Sequence, residues 1–171
     1  VSDGGKTSHA TLLGGAQHVL DGGEANSTTI SRGQQHISFG GEAIGTLITS
    51  GGGTSGIQRV SDGGKATSTT ISGGQQVVLK GGAADHTTIS AGTQWVSAGG
   101  TATGTTISSG SQLLNGSAID TTINQDGRQT ILTGGTAENT RIEGGLQQVS
   151  SGGTAIGTEI NRGGSQTIGA S

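Results

Sequence analysis

One phrase governs what this chain can fold into. Gly22-Gly23-Glu24-Ala25-Asn26-Ser27-Thr28-Thr29-Ile30-Ser31-Arg32-Gly33-Gln34-Gln35-His36-Ile37 recurs in variant form from one end of the sequence to the other. A repeat of about 18 residues is the mark of a solenoid, in which each unit buries its apolar face only against its neighbours. The register follows an aliphatic column at Leu12, Ile30, Ile48, Ile71, Ile89, Ile107, Ile123, Ile142 and Ile160, so nine units fill the chain. A glutamine column runs unbroken at Gln17, Gln35, Gln58, Gln76, Gln94, Gln112, Gln129, Gln147 and Gln166, and a second aliphatic follows each glutamine by two positions. A small residue, Thr7 and then alanine from Ala25 to Ala155, stands five positions before each leucine or isoleucine of the first column. Spacing varies only at an insertion around Gly52 to Gly56, a shortening before Asn115, and single extra residues near Asp126 and Gly164.

Composition narrows the outcome further. With 37 glycines, no proline, cysteine or methionine, one Phe and one Trp in 171 residues, the chain lacks the bulky apolar material of an ordinary packed core. Disorder is excluded by the strict aliphatic columns and by a net charge of only −3. Nucleic acid is not an expected partner, because eight Lys and Arg are scattered with almost no aromatic residues among them. No apolar run approaches the roughly 20 residues of a membrane-spanning helix.

Within a unit, Thr-Thr-Ile and Gln-x-Val alternate as short β-strands. Thr28, Ile30, Gln35 and Ile37 are expected to point inward, and Thr29 and His36 outward. Glycine pairs, Ser-Gly and Asp-Gly supply tight corners. With two or three short strands and no room for a crossover helix, each unit can wind as one coil of a parallel β-helix. The inward threonines are expected to form one polar ladder and the glutamines another. At about 4.8 Å per coil, nine coils give a rod on the order of 40 Å long.

The units from Ser97 to Gln112 (SAGGTATGTTISSGSQ) and from Ser150 to Ile160 (SSGGTAIGTEI) resemble the passenger repeats of self-associating autotransporter adhesins, the AIDA and TibA type, and the likeness covers the whole chain. The resemblance implies an all-β, right-handed parallel β-helix of about nine coils and roughly 18-residue repeats, displayed on the bacterial cell surface and tethered in the outer membrane through a C-terminal barrel that this sequence does not include. It also implies autoaggregation with a like passenger on another cell, host-cell attachment, biofilm formation, and O-heptosylation of loop serines by a dedicated cytoplasmic heptosyltransferase. Residues 1–171 then read as a single repeat segment of a longer passenger. Absence of cysteine acquires a reason, since disulfides would hinder export through the barrel.

Carried over residue by residue, the acceptor corner lies between Thr-Thr-Ile and Gln-x-Val. Serine stands there at Ser31, Ser72, Ser90 and Ser108, with Ser50 and Ser109 one place later. The corner after Gln-x-Val offers Ser61, Ser97, Ser150 and Ser151 as a second set. Leu13, Asn124, Glu143 and Asn161 take the first corner position in their units, so modification cannot be uniform along the rod. The bland alternative is that all these serines merely form turns.

Other chemistries fit less well. Gly-Gly is followed by x-Ala rather than by the aspartate a calcium-binding nonapeptide needs, and no helix follows any glycine loop to hold a phosphate. No cofactor is expected. His18 and His36 fall at the same outward position in adjacent units but lack an assured third ligand, and Trp95 continues their column as an exposed aromatic able to stack on a sugar or another chain. A polysaccharide-degrading β-helix enzyme would need paired carboxylates in a cleft, whereas the acids here are dispersed. An ice-binding β-helix would need unbroken outward threonine ranks, and Leu47, Arg141 and Glu159 interrupt the one available. The insertion around Gly52 to Gly56 is the one protruding loop and a weak candidate for a specific contact.

Overall fold

In a computed structural model of the chain, which describes residues 1–51 and 54–169, the repeat winds into a parallel β-solenoid of nine coils. No helix occurs among the described residues, so none is long and apolar enough to cross a membrane. Each coil contributes three short strands, for example Glu24–Asn26, Thr29–Ile30 and Gln34–Ile37. Strands of the first kind stack into a nine-stranded sheet, and the other two kinds form a second. The latter two join where Thr70–Val78 and Thr88–Val96 run through the intervening corner without a break.

The strand register reproduces the sequence columns. Ile71 pairs with Ile89 and Gln76 with Gln94, while Ala84 pairs with Ala102 in the other sheet. Alternation along each strand then decides burial: Thr28, Ile30, Gln35 and Ile37 are fully enclosed, and Thr29 and His36 lie half-exposed on the outer face. The apolar interior divides into an isoleucine column, Ile30 to Ile142, and columns in which alanines pack against the valines and isoleucines that follow the glutamines.

The remaining inward positions are polar and fully paired through most of the rod. Gln58 Nε2 donates to Gln35 Oε1 at 2.8 Å, and Thr46 Oγ1 donates to the same oxygen at 3.2 Å. The same pair of bonds recurs at Gln76 and at Gln94. The threonine hydroxyls thus feed the glutamine ladder, and the two expected ladders are one. A primary amide carries two donors and a carbonyl with two lone pairs, whereas a hydroxyl stacked on a hydroxyl would leave the glutamine acceptors half-used.

Each coil turns three times. At the glycine-pair corner the two glycines do different jobs: Gly134 has φ +78 and open space around it, whereas a Cβ on Gly135 would run into the carbonyl oxygen of Leu114 in the coil below. A second corner, between the alanine strand and Thr-Thr-Ile, carries no fixed residue type in the sequence. Its apex residue is left-handed in every coil, at His9, Ser27, Gly45, Ser68, His86, Gly104, Asp120, Asn139 and Gly157, and only three of these nine are glycine. Short polar side chains tolerate this conformation best after glycine, which is why the position accepts Ser, Asp, Asn and His.

One coil is shorter than the rest. Asn115-Gly116 replaces the four-residue corner seen, for instance, at Ser97 to Gly100, so the coil is two residues short. Thr121 consequently follows Gln112 by nine positions instead of the eleven that separate the other bonded pairs, and its buried hydroxyl has no partner.

Candidate functional site: the serine corner

The corner between the isoleucine and glutamine strands stacks coil on coil, so its first residues form a column: Leu13, Ser31, Thr49, Ser72, Ser90, Ser108, Asn124, Glu143 and Asn161. Hydroxyls therefore occupy five consecutive coils. The second of them, Thr49, is missed when serine alone marks the column. Its Oγ1 donates to Ser31 Oγ at 3.3 Å.

Ser72 and Ser90 depart from the expected loop geometry. Both lie inside continuous nine-residue strands rather than in loops between short strands, and both are exposed. Ladder pairing passes from Ile71↔Ile89 to Ser72↔Ala91, which leaves Ser90 as the extra residue of a bulge. Gly73 at φ +117 and Gly92 at φ +99 make the bend within the strand. A bulge re-aims a side chain away from the ladder, so these two hydroxyls stand free at the coil edge.

The other candidates differ in access. Ser50 and Ser109 are exposed, and Ser31 and Ser108 are half-buried. Ser50 pairs antiparallel with Ser55 in a small hairpin formed by Leu47–Gly51 and Thr54–Ser55. Gly52 and Gly53, within the insertion singled out above, lie outside the described residues. In the second set, Ser61 donates to the carbonyl of Ile37 at 3.1 Å and is half-buried, as are Ser97 and Ser150, whereas Ser151 is exposed. Two further exposed serines, Ser27 and Ser68, sit at the left-handed corner that glycine spacing does not reveal.

None of the corner serines named here is hydrogen-bonded to a histidine or carboxylate among the described residues. Their hydroxyls carry no built-in base, so deprotonation during any reaction there falls to a modifying enzyme. The titratable groups with shifted ionisation lie elsewhere. His18 and His36 stack with ring centroids 5.0 Å apart and planes 10° apart. Burial holds His36 below the ordinary imidazole range, and the nearby charges of His18 and Arg59 push it further down. Lys6 and Glu24 pair at 2.7 Å, raising the lysine and lowering the carboxylate. A hydrogen bond from Asn161 and the charge of Arg141 hold Glu159 low. These groups lie at outward-facing positions of the strands, away from the serine corner. The outward threonine rank is broken at Leu47, Arg141 and Glu159, as its sequence implies.

Against solved structures, the chain matches the crystal structure of a TibC-catalysed hyper-glycosylated TibA fragment at 35% identity and TM-score 0.68, over 100% of this chain and 77% of that one. The chain belongs to the TibA-type autotransporter adhesin passengers. Membership places it among surface-exposed proteins built from repeats on a β-helix. A trypsin-treated form of QnrB1, a plasmid-mediated fluoroquinolone resistance protein, aligns over 90% of this chain and 92% of its own at only 11% identity and TM-score 0.38. No protein-family model matches the chain, and a search of curated proteins gives no match. In this TibA-type passenger the serine corner repeats along the rod and presents exposed hydroxyls at Ser50, Ser72, Ser90 and Ser109.

Proposed function

We propose that the chain is a rigid stalk segment of a bacterial surface adhesin, that its corner serines accept O-linked heptose from a cytoplasmic heptosyltransferase, and that like rods on neighbouring cells associate laterally. Autoaggregation, biofilm formation and host-cell attachment follow from that association. The observation that carries the reading is the 35% identity, along the whole chain, to a TibA fragment that TibC hyper-glycosylates. The column of hydroxyls supports it, because a transferase that recognises the bulge at Ser72 meets a like bulge at Ser90 about 4.8 Å away.

Access orders the acceptors. Ser72 and Ser90, exposed on their bulges, come first, with Ser50 and Ser109 next. Ser31 and Ser108 follow. Ser61, Ser97, Ser150 and Ser151 form the lesser set, and Ser61 is the poorest because its hydroxyl already donates to a backbone carbonyl.

The test is the mass of the chain and its tryptic peptides, purified from cells with and without the heptosyltransferase. Enzyme-dependent increments of one heptose are expected on the peptide from Ala66 to Lys80 and should vanish in Ser72→Ala. An unmodified mass in both preparations would reduce the reading to a bare adhesive stalk.

A further inference from the structure

The shortened coil opens a notch on the rod beside the exposed indole. Removing two residues from the corner at Asn115-Gly116 leaves a depression of about 380 Å³, with Thr101, Asn115, Ser117, Thr136 and Glu138 on its walls. The depression is open to solvent, so a ligand would lie across it rather than inside it. Trp95, 47% exposed on the neighbouring coil's strand Thr88–Val96, where it pairs with Leu113, donates its Nε1 to Asn115 Oδ1 at 3.4 Å. Asn115 is thus both the anchor of the indole and the lip of the notch, and its own Nδ2 donates to the carbonyl of Thr133 at 3.3 Å. A smaller and more enclosed depression of about 210 Å³, with Val77, Leu113 and Gln75 around it, flanks the indole.

An indole on one side of Asn115, with hydroxyl, amide and carboxylate groups of the notch on the other, matches one class of extended ligand. A pyranose ring has a face of C–H bonds that stacks on an indole and a rim of hydroxyls that bond to polar side chains. Glu138 accepts hydrogen bonds from hydroxyls but repels a carboxylate or phosphate, and the walls of the notch hold no cation. From Trp95 and the Asn115 notch together, we propose a binding site for neutral sugars, with the indole as stacking platform and Glu138 as the group that selects against acidic ones. The site is independent of whether the serine corner is glycosylated.

Trp95 is the single tryptophan and the chain has no tyrosine, so intrinsic fluorescence reports on this site alone. The intact chain is titrated with lactose, maltose, methyl mannoside and methyl heptoside, with N-acetylneuraminic acid as the acidic counterpart. At least one neutral sugar should change the emission saturably in the millimolar range and give saturation-transfer signals from its ring protons. Trp95→Ala should weaken those signals about tenfold while circular dichroism and melting stay unchanged. Glu138→Gln should admit N-acetylneuraminic acid.

Two further titrations distinguish the sources of the sugar: neutral host-type oligosaccharides, and a tryptophan-free Trp95→Phe copy of the chain with and without heptose attached. A response to either sugar source supports the site. No saturable change with any neutral sugar, together with equal responses to the bare and the sugar-bearing copy, would overturn it.

Discussion

Thr87 and Thr121 occupy the same inward column and are equally buried, yet only Thr87 has a partner, Gln76 Oε1 at 3.0 Å. Replacing Thr87 with valine removes a hydrogen bond while Gln76 keeps its bond from Gln94, so a loss of about 1 kcal/mol is expected in urea unfolding. Thr121→Val removes a hydroxyl that is already unsatisfied and should be neutral or stabilising. Equal losses at both positions would mean that the shortened coil restores the missing bond in solution. His36 gives a pH signature. Its folded-state pKa lies below the unfolded value of 6.5, so as pH falls below 6.5 the unfolded chain takes up the proton first and stability declines until the folded-state value is passed. Glu24 and Glu159 lie below their ordinary value of 4.5, so their contribution is present above that value and lost only at lower pH. Melting temperature should therefore fall as pH drops below about 6.5, and His36→Gln should flatten that slope while leaving the more acidic limb in place.

The strand and its corners set the next scale. Gly134→Ala introduces a side chain at φ +78 with open space around it, which costs about 1 kcal/mol of backbone strain. Gly135→Ala should cost at least about 2 kcal/mol, because its methyl meets a carbonyl of the coil below that belongs to the strand ladder. The pair can be compared in one thermal series. The inward columns and the glycine-pair corners are legible in the sequence, because burial repeats Ile, Gln and Val in register and both requirements at that corner select glycine. The left-handed corner at Ser27, Ser68 and Asp120 is not, because it needs one unusual backbone conformation without close approach, and several residue types can supply that. The serine column is legible as a column. Its geometry is not: the ladder carries on through Ser72 and Ser90 because bends at Gly73 and Gly92 let the strand turn without breaking, a choice that depends on the coils above and below.

Over the whole rod, stability is a sum of coils and interfaces between coils. Ile89→Asp places an unpaired charge in the isoleucine column between Ile71 and Ile107, and a loss of more than about 4 kcal/mol with unfolding of the flanking coils is expected, read by circular dichroism and hydrogen exchange. Thr88→Asp, on the outer face of the same strand, should leave the melt within about 0.5 kcal/mol of wild type. If Ile89→Asp melted like wild type, the inward column would be wrong. The two-residue contraction at Asn115 has a meaning at this scale too. Two perfectly periodic rods lying side by side would keep nearly the same contacts after sliding by a coil, and would have no fixed alignment. A dislocation in one coil breaks that translational degeneracy: it works as an index mark on a ruler, so that rods lying side by side, under the lateral association proposed above, lock at one offset.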